Sequence, residues 1–91
     1  MNQKGWNQFL DVCLATKNRK MLDQLFELFL TAEERSAISM RLLLVQALLK
    51  KEKTQREIAE HLNVSIAKIT RGSNELKRMD ESFLEWLERE L

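Results

Sequence analysis

Proline and tyrosine are absent from this 91-residue chain, glycine occurs only at Gly5 and Gly72, and Cys13 is the single cysteine. So few breakers and turn formers exclude a β-sandwich, which needs a turn roughly every 8–12 residues. A lone cysteine excludes an internal disulfide and suits a reducing cytosol. No purely apolar run is longer than Leu42 to Val45, which is far too short to span a membrane, and no signal peptide is expected. What remains is rich in Glu, Lys, Arg, Leu, Gln and Ala, all helix formers. The expectation is one all-α domain over residues 1–91.

The net charge of +1 hides an asymmetry. Residues 50–78 hold eight basic side chains (Lys50, Lys51, Lys53, Arg56, Lys68, Arg71, Lys77, Arg78) against four acidic ones, whereas residues 79–91 hold one basic and five acidic. A local basic patch on a near-neutral protein points to a nucleic acid or an acidic partner.

Apolar spacing and capping signals predict six helices. The first covers 6–18, with Trp6, Phe9, Leu10, Cys13 and Leu14 on one stripe, and ends at the polar break 17–20. The second covers Met21 to Leu30. The capping-box pattern Thr31-Ala-Glu-Glu34 opens a third, which runs to about Lys50. Thr54-Gln-Arg-Glu57 opens a fourth, ending at Leu62. Ser65 caps a fifth over Ile66 to Arg78, and Asp80 caps the last, with Phe83, Leu84, Trp86, Leu87 and Leu91 apolar. Residues 21–30 and 37–49 are apolar nearly all round, and such helices must be covered on most sides. Six short helices of one chain do that poorly. An obligate dimer with an interleaved core would do it; the alternative is a loosely packed monomer.

Nothing in the chain suggests an enzyme. His61 shares its helix with an inner face of Ile58, Ala59 and Leu62 and is read as a solvated surface residue. Cys13 has no histidine near it and is read as a core thiol. There is no metal-ligand spacing, no phosphate-binding glycine loop and no carboxylate pair in an apolar setting.

Residues 54–78 are more informative. They read as helix, three-residue turn, helix, the pattern of a helix-turn-helix DNA-binding motif. Ile58, Ala59 and Leu62 form the inner face of the first helix. Val64 fills the turn, and Ile66, Ile69 and Leu76 form the inner face of the second. Asn63 stands where the turn needs left-handed backbone, which Asn tolerates best after glycine. Ala67, Lys68, Thr70, Arg71 and Asn74 face outward, and Gln55 and Arg56 at the start of the first helix suit phosphate or base-edge contacts. The alternative is two ordinary amphipathic helices with a solvated face.

Two residues look out of place. Arg41 lies among Ala37, Ile38, Leu44 and Val45 with no acidic residue at helical spacing, so it either snorkels past the stripe or meets a partner from elsewhere. Gly72 lies in mid-helix, where it costs about 1 kcal/mol against alanine and implies close approach of a helix or a ligand. Arg71 can pair with Glu75 one turn on.

The stretches LFLTAEER (28–35), Arg41, TQREIAEHL (54–62) and above all ITRGSN (69–74) resemble the bacterial tryptophan repressor over almost the whole chain. That resemblance implies an intertwined all-helical homodimer that binds double-stranded operator DNA as a transcriptional repressor, with L-tryptophan as corepressor and no metal. It implies an indole held between Arg41 and Arg71, with Leu44 and Gly72 lining the slot. The ligand carboxylate would meet Arg71 and, from the other subunit, Thr31. The ammonium would meet backbone carbonyls of Leu28 and Leu30 of that subunit, and Glu75. The DNA-facing set would be Gln55, Arg56, Ile66, Ala67, Lys68, Thr70, Arg71 and Asn74, with residues 1–50 and 80–91 forming the dimer core around the 54–78 motif. The chain departs from the family pattern at Glu75 (usually serine), Ala59 (usually basic), Lys68 (usually small), Asn63 and Ser65 (usually glycine), and in a shorter N-terminal arm. Two rival readings stay open: a regulator of the same family that ignores tryptophan, and a helical protein-interaction module.

Overall fold

A computed structural model describes residues 1–91. The chain is all-helical and contains no strand: α1 (Gln3–Ala15), α2 (Arg19–Phe29), α3 (Ala32–Lys50), α4 (Gln55–Leu62), α5 (Ile66–Arg78) and α6 (Glu81–Glu90). No helix is long and apolar enough to cross a membrane.

Caps decide most of the boundaries. The first helix begins three residues earlier than its apolar stripe predicts, because the Asn2 side chain accepts from the Gly5 N–H at 2.9 Å. It ends at Ala15 rather than at residue 18, where the Thr16 hydroxyl donates to the Cys13 carbonyl at 2.7 Å. Asn18, within the polar break, is the N-cap of α2 and accepts from the Met21 N–H at 2.9 Å, which draws Arg19 and Lys20 into the helix. Both expected capping boxes form: Thr31 exchanges side-chain-to-backbone bonds with Glu34, and Thr54 does so with Glu57. Asp80 occupies the N-cap of α6, but its carboxylate accepts from the Ser82 hydroxyl instead of capping the helix.

Contacts divide the chain into two units, Met1–Ser36 and Ala37–Leu91. In the first, Trp6, Phe9, Phe26 and Phe29 cluster, with Phe9 stacked on Trp6 at 5.7 Å and edge-on to Phe29 at 5.6 Å between ring centres. No side chain of α1 or α2 is fully buried. Cys13, expected as a core thiol, is half-buried because its stripe has little to pack on. A shallow groove of about 370 Å³ between α1 and α2 is walled by Val12, Met21, Leu25 and Leu28. In the second unit the core is Leu44, Ile58, Ala59 and Ile69, with Val45, Ala47, Leu48, Leu62 and Val64 packed around it. Leu44 is the only buried residue of α3, although that helix is apolar nearly all round.

Candidate functional site

The pair α4–α5 is built on two reciprocal anchors. Ile58 of α4 and Ile69 of α5 are 1% and 0% exposed, and the small Ala59 beside Ile58 lets the helices approach closely. Asn63 takes the left-handed conformation (φ 55°, ψ 47°) expected of it, and the Val64 N–H donates to the Ala59 carbonyl at 3.0 Å. The Ser65 hydroxyl then accepts from the Lys68 N–H to start α5. With Ile69 turned inward, Ala67, Lys68, Thr70, Arg71 and Asn74 are all exposed, as the pattern predicts.

Ile66 is expected on the inner face by periodicity and in the DNA-facing set by the family resemblance. It is the first residue of α5 and is 49% exposed, which corrects the first of these and agrees with the second. The inner stripe instead runs through Ile69, Gly72, Ser73 and Leu76. Ile66 therefore joins the outward set. Arg56 is exposed on α4 and Gln55 is half-buried. A contact that helical periodicity does not signal joins the two helices: the Thr70 hydroxyl donates to Gln55 Oε1 at 3.1 Å.

Of the eight basic side chains of residues 50–78, only Arg78 is in an ion pair, with Glu75 at 3.0 Å. The Glu57 carboxyl is held below its ordinary value of 4.5, first by the Thr54 backbone N–H of the capping box. Apart from Arg78 and the weaker pull between Lys53 and Glu57, the cations around α4 and α5 have no acidic partner within the chain. His61 is exposed, and no three His, Cys, Asp or Glu side chains meet in a way that could hold a metal ion.

A second constellation lies where α5 crosses α3. A Cβ on Gly72 would stand 2.5 Å from Leu44 Cδ2 and 3.6 Å from Leu48 Cδ1, so the close approach that Gly72 permits is to a helix. Arg71 directly precedes Gly72, and Arg41 is one turn before Leu44. Two arginines therefore lie within a turn of the crossing residues, both exposed and neither in an ion pair. Glu75, for which a pair with Arg71 one turn earlier was one alternative, pairs with Arg78 one turn later instead. Arg71 keeps its donors free.

Thr31, Leu28 and Leu30 lie in the other unit, at the α2–α3 junction. Thr31 Oγ1 accepts from the Glu34 N–H, so its own O–H remains available as a donor. The carbonyls of Leu28 and Leu30, at the end of α2, accept no backbone hydrogen bond and so remain free for a cation, which the helix dipole also favours there.

Comparison with known proteins gives a consistent result. The family model described as "Trp repressor protein" matches residues 4–91. The "Trp operon repressor homolog" of Chlamydia trachomatis serovar D is 48% identical over 89 residues, covering 98% of this chain and 95% of that protein. The protein of the same description from Chlamydia caviae is 50% identical over 86 residues, covering 94% and 85%. That from Haemophilus influenzae strain PittEE is 41% identical over 90 residues, covering 99% and 89%.

Proposed function

This chain belongs to the Trp repressor family, a family of transcriptional regulators rather than enzymes, and on that premise we propose that it is a cytoplasmic, tryptophan-dependent repressor acting as a homodimer on operator DNA. Residues 54–78 are the helix-turn-helix of this reading. Residues 1–50 and 80–91 supply the dimer core.

The observation that carries the ligand assignment is the pair of exposed, unpaired guanidiniums, Arg41 and Arg71, at the Gly72–Leu44 crossing. A planar cation stacks well on an aromatic face, and two of them flanking an indole explain why Arg41 stands on an apolar helix without an acidic partner. Arg71 also offers a fork of donors for the ligand carboxylate. Thr31 of the partner protomer adds its free O–H, and the carbonyls of Leu28 and Leu30 accept from the ammonium. Glu75 offers that ammonium a carboxylate in place of the family's neutral hydroxyl. Bound ligand wedges α5, the recognition helix, outward and sets the two recognition helices of the dimer about 34 Å apart, one turn of DNA, a spacing for which this family is itself a type example.

On the DNA side, Lys68 meets a phosphate and Arg56 a base edge, with Ile66, Ala67, Arg71 and Asn74 completing the surface. Calorimetry with L-tryptophan and with indole-3-propionate, which lacks the ammonium, tests the ligand half. Wild type should bind L-tryptophan and prefer it, and the preference should narrow in Glu75→Ser. Absence of L-tryptophan binding alongside salt-dependent DNA binding would favour the tryptophan-independent regulator. Absence of both would favour a protein-interaction module.

A further inference from the structure

Thr70 and Gln55 are joined by a hydrogen bond whose location is unusual for this molecule. Every other side-chain hydrogen bond joins residues at most four apart, except the one from Gln46 to the Leu91 carbonyl. The Thr70–Gln55 bond spans fifteen residues and ties the first residue of α4 to the exposed face of α5. Both ends are held from behind. Gln55 follows the Thr54–Glu57 capping box, and Thr70 follows Ile69, which is completely buried.

Resting on the DNA-binding reading above, we propose that Thr70 is a positioning residue for Gln55, acting on DNA through it rather than by direct contact. The argument is one of placement. A hydroxyl can meet either end of a carboxamide, so the bond fixes where the Gln55 side chain lies. In the arrangement present the Thr70 hydroxyl donates to Gln55 Oε1 at 3.1 Å. The Nε2 amide is then the end left free, carrying donors beside the exposed Arg56. Phosphate oxygens only accept, and that orientation suits them. A glutamine fixed in advance also gives up less rotamer freedom on binding than a loose one does.

The natural operator is not needed for the test. The probe is a duplex enriched from a random-sequence pool by the wild-type protein in the presence of L-tryptophan. Thr70→Val, which removes the hydroxyl and keeps the shape, should weaken binding to that duplex by about fivefold, the usual effect of losing one hydrogen bond. Thr70→Ser should restore it. In a Gln55→Ala background Thr70→Val should cost nothing further, since the residue it positions is gone. L-tryptophan affinity should stay at the wild-type level throughout. An equal loss in the Gln55→Ala background would overturn the proposal by placing Thr70 on the DNA itself, and no loss in wild type would show the bond idle. A wild-type protein that enriches no duplex would remove the DNA-binding reading, and this proposal with it. The link can also be read in the free protein. The Gln55 side-chain amide signals should move in the nuclear magnetic resonance spectrum of Thr70→Val and not in that of Thr70→Ser, and signals unmoved by either change would overturn it without any DNA.

Discussion

Arg41 and Gly72 show how much a single residue can indicate before its surroundings are known. A guanidinium among Ala37, Ile38, Leu44 and Val45 is costly without a partner, and the structure supplies none within the chain. If its partner is the ligand's ring, Arg41→Ala should weaken L-tryptophan binding about tenfold, in keeping with a cation–π contact worth ~0.5–2 kcal/mol. The far-ultraviolet circular dichroism and sedimentation of the variant should match wild type, and an unchanged calorimetric affinity would show that Arg41 only snorkels. Gly72 was legible as a point of close approach but not as an approach to Leu44 in particular. Its substitution by alanine is a contest between two effects. Better helix propensity favours the variant by about 1 kcal/mol. Against it, the new methyl lies 2.5 Å from Leu44 Cδ2, and Leu44 is 5% exposed and packed with Ile58 and Ile69. Overpacking a closed core costs about 1–3 kcal/mol. Gly72→Ala should therefore lower stability in urea titration, by roughly 1 kcal/mol net. An increase would mean that Leu44 swings aside freely.

At the scale of the element, hydrogen bonds at the ends of helices outweigh the apolar pattern within them. The pattern placed all six helices, yet it missed the first turn of α1 and the start of α2, because Asn2 and Asn18 cap them from outside the stripe. It also turned Ile66 inward, since periodicity knows nothing of where a neighbouring helix stops. The capping box of α4 gives a pH prediction. The folded-state pKa of Glu57 lies below its ordinary value of 4.5, so its contribution is present above that pH and is lost as pH falls through the folded value. Glu57→Gln keeps a neutral version of the box. Urea titrations should show wild type losing more stability than Glu57→Gln as pH falls below 4.5. Thr54→Ala should cost about 1 kcal/mol at neutral pH. Identical pH profiles for wild type and Glu57→Gln would mean that the box is broken in solution.

At the scale of the whole molecule, apolar surface is the dominant fact. Leu14 is 85% exposed, Leu28 77% and Phe29 59%, and Trp6, Phe83 and Trp86 are exposed as well. The groove between α1 and α2 is open. Single exposed leucines are ordinary, but this many large apolar side chains left open on one short chain suit a surface that a second copy covers. The folded protein should sediment as a dimer at low micromolar concentration, with a melting temperature that rises with concentration. A stable folded monomer would sink both the dimer and the partner-borne half of the ligand site, Thr31, Leu28 and Leu30.

The sequence by itself determined the all-helical class, the order of the helices, both capping boxes, the left-handed turn at Asn63 and the outward face of α5. These depend on local backbone chemistry and on a repeat that any single helix displays. Tertiary structure alone decided that Leu44 is what approaches Gly72, which of its two expected faces Ile66 takes, and that Thr70 reaches Gln55. Each of these depends on where one helix crosses or ends against another, and packing in three dimensions sets that geometry.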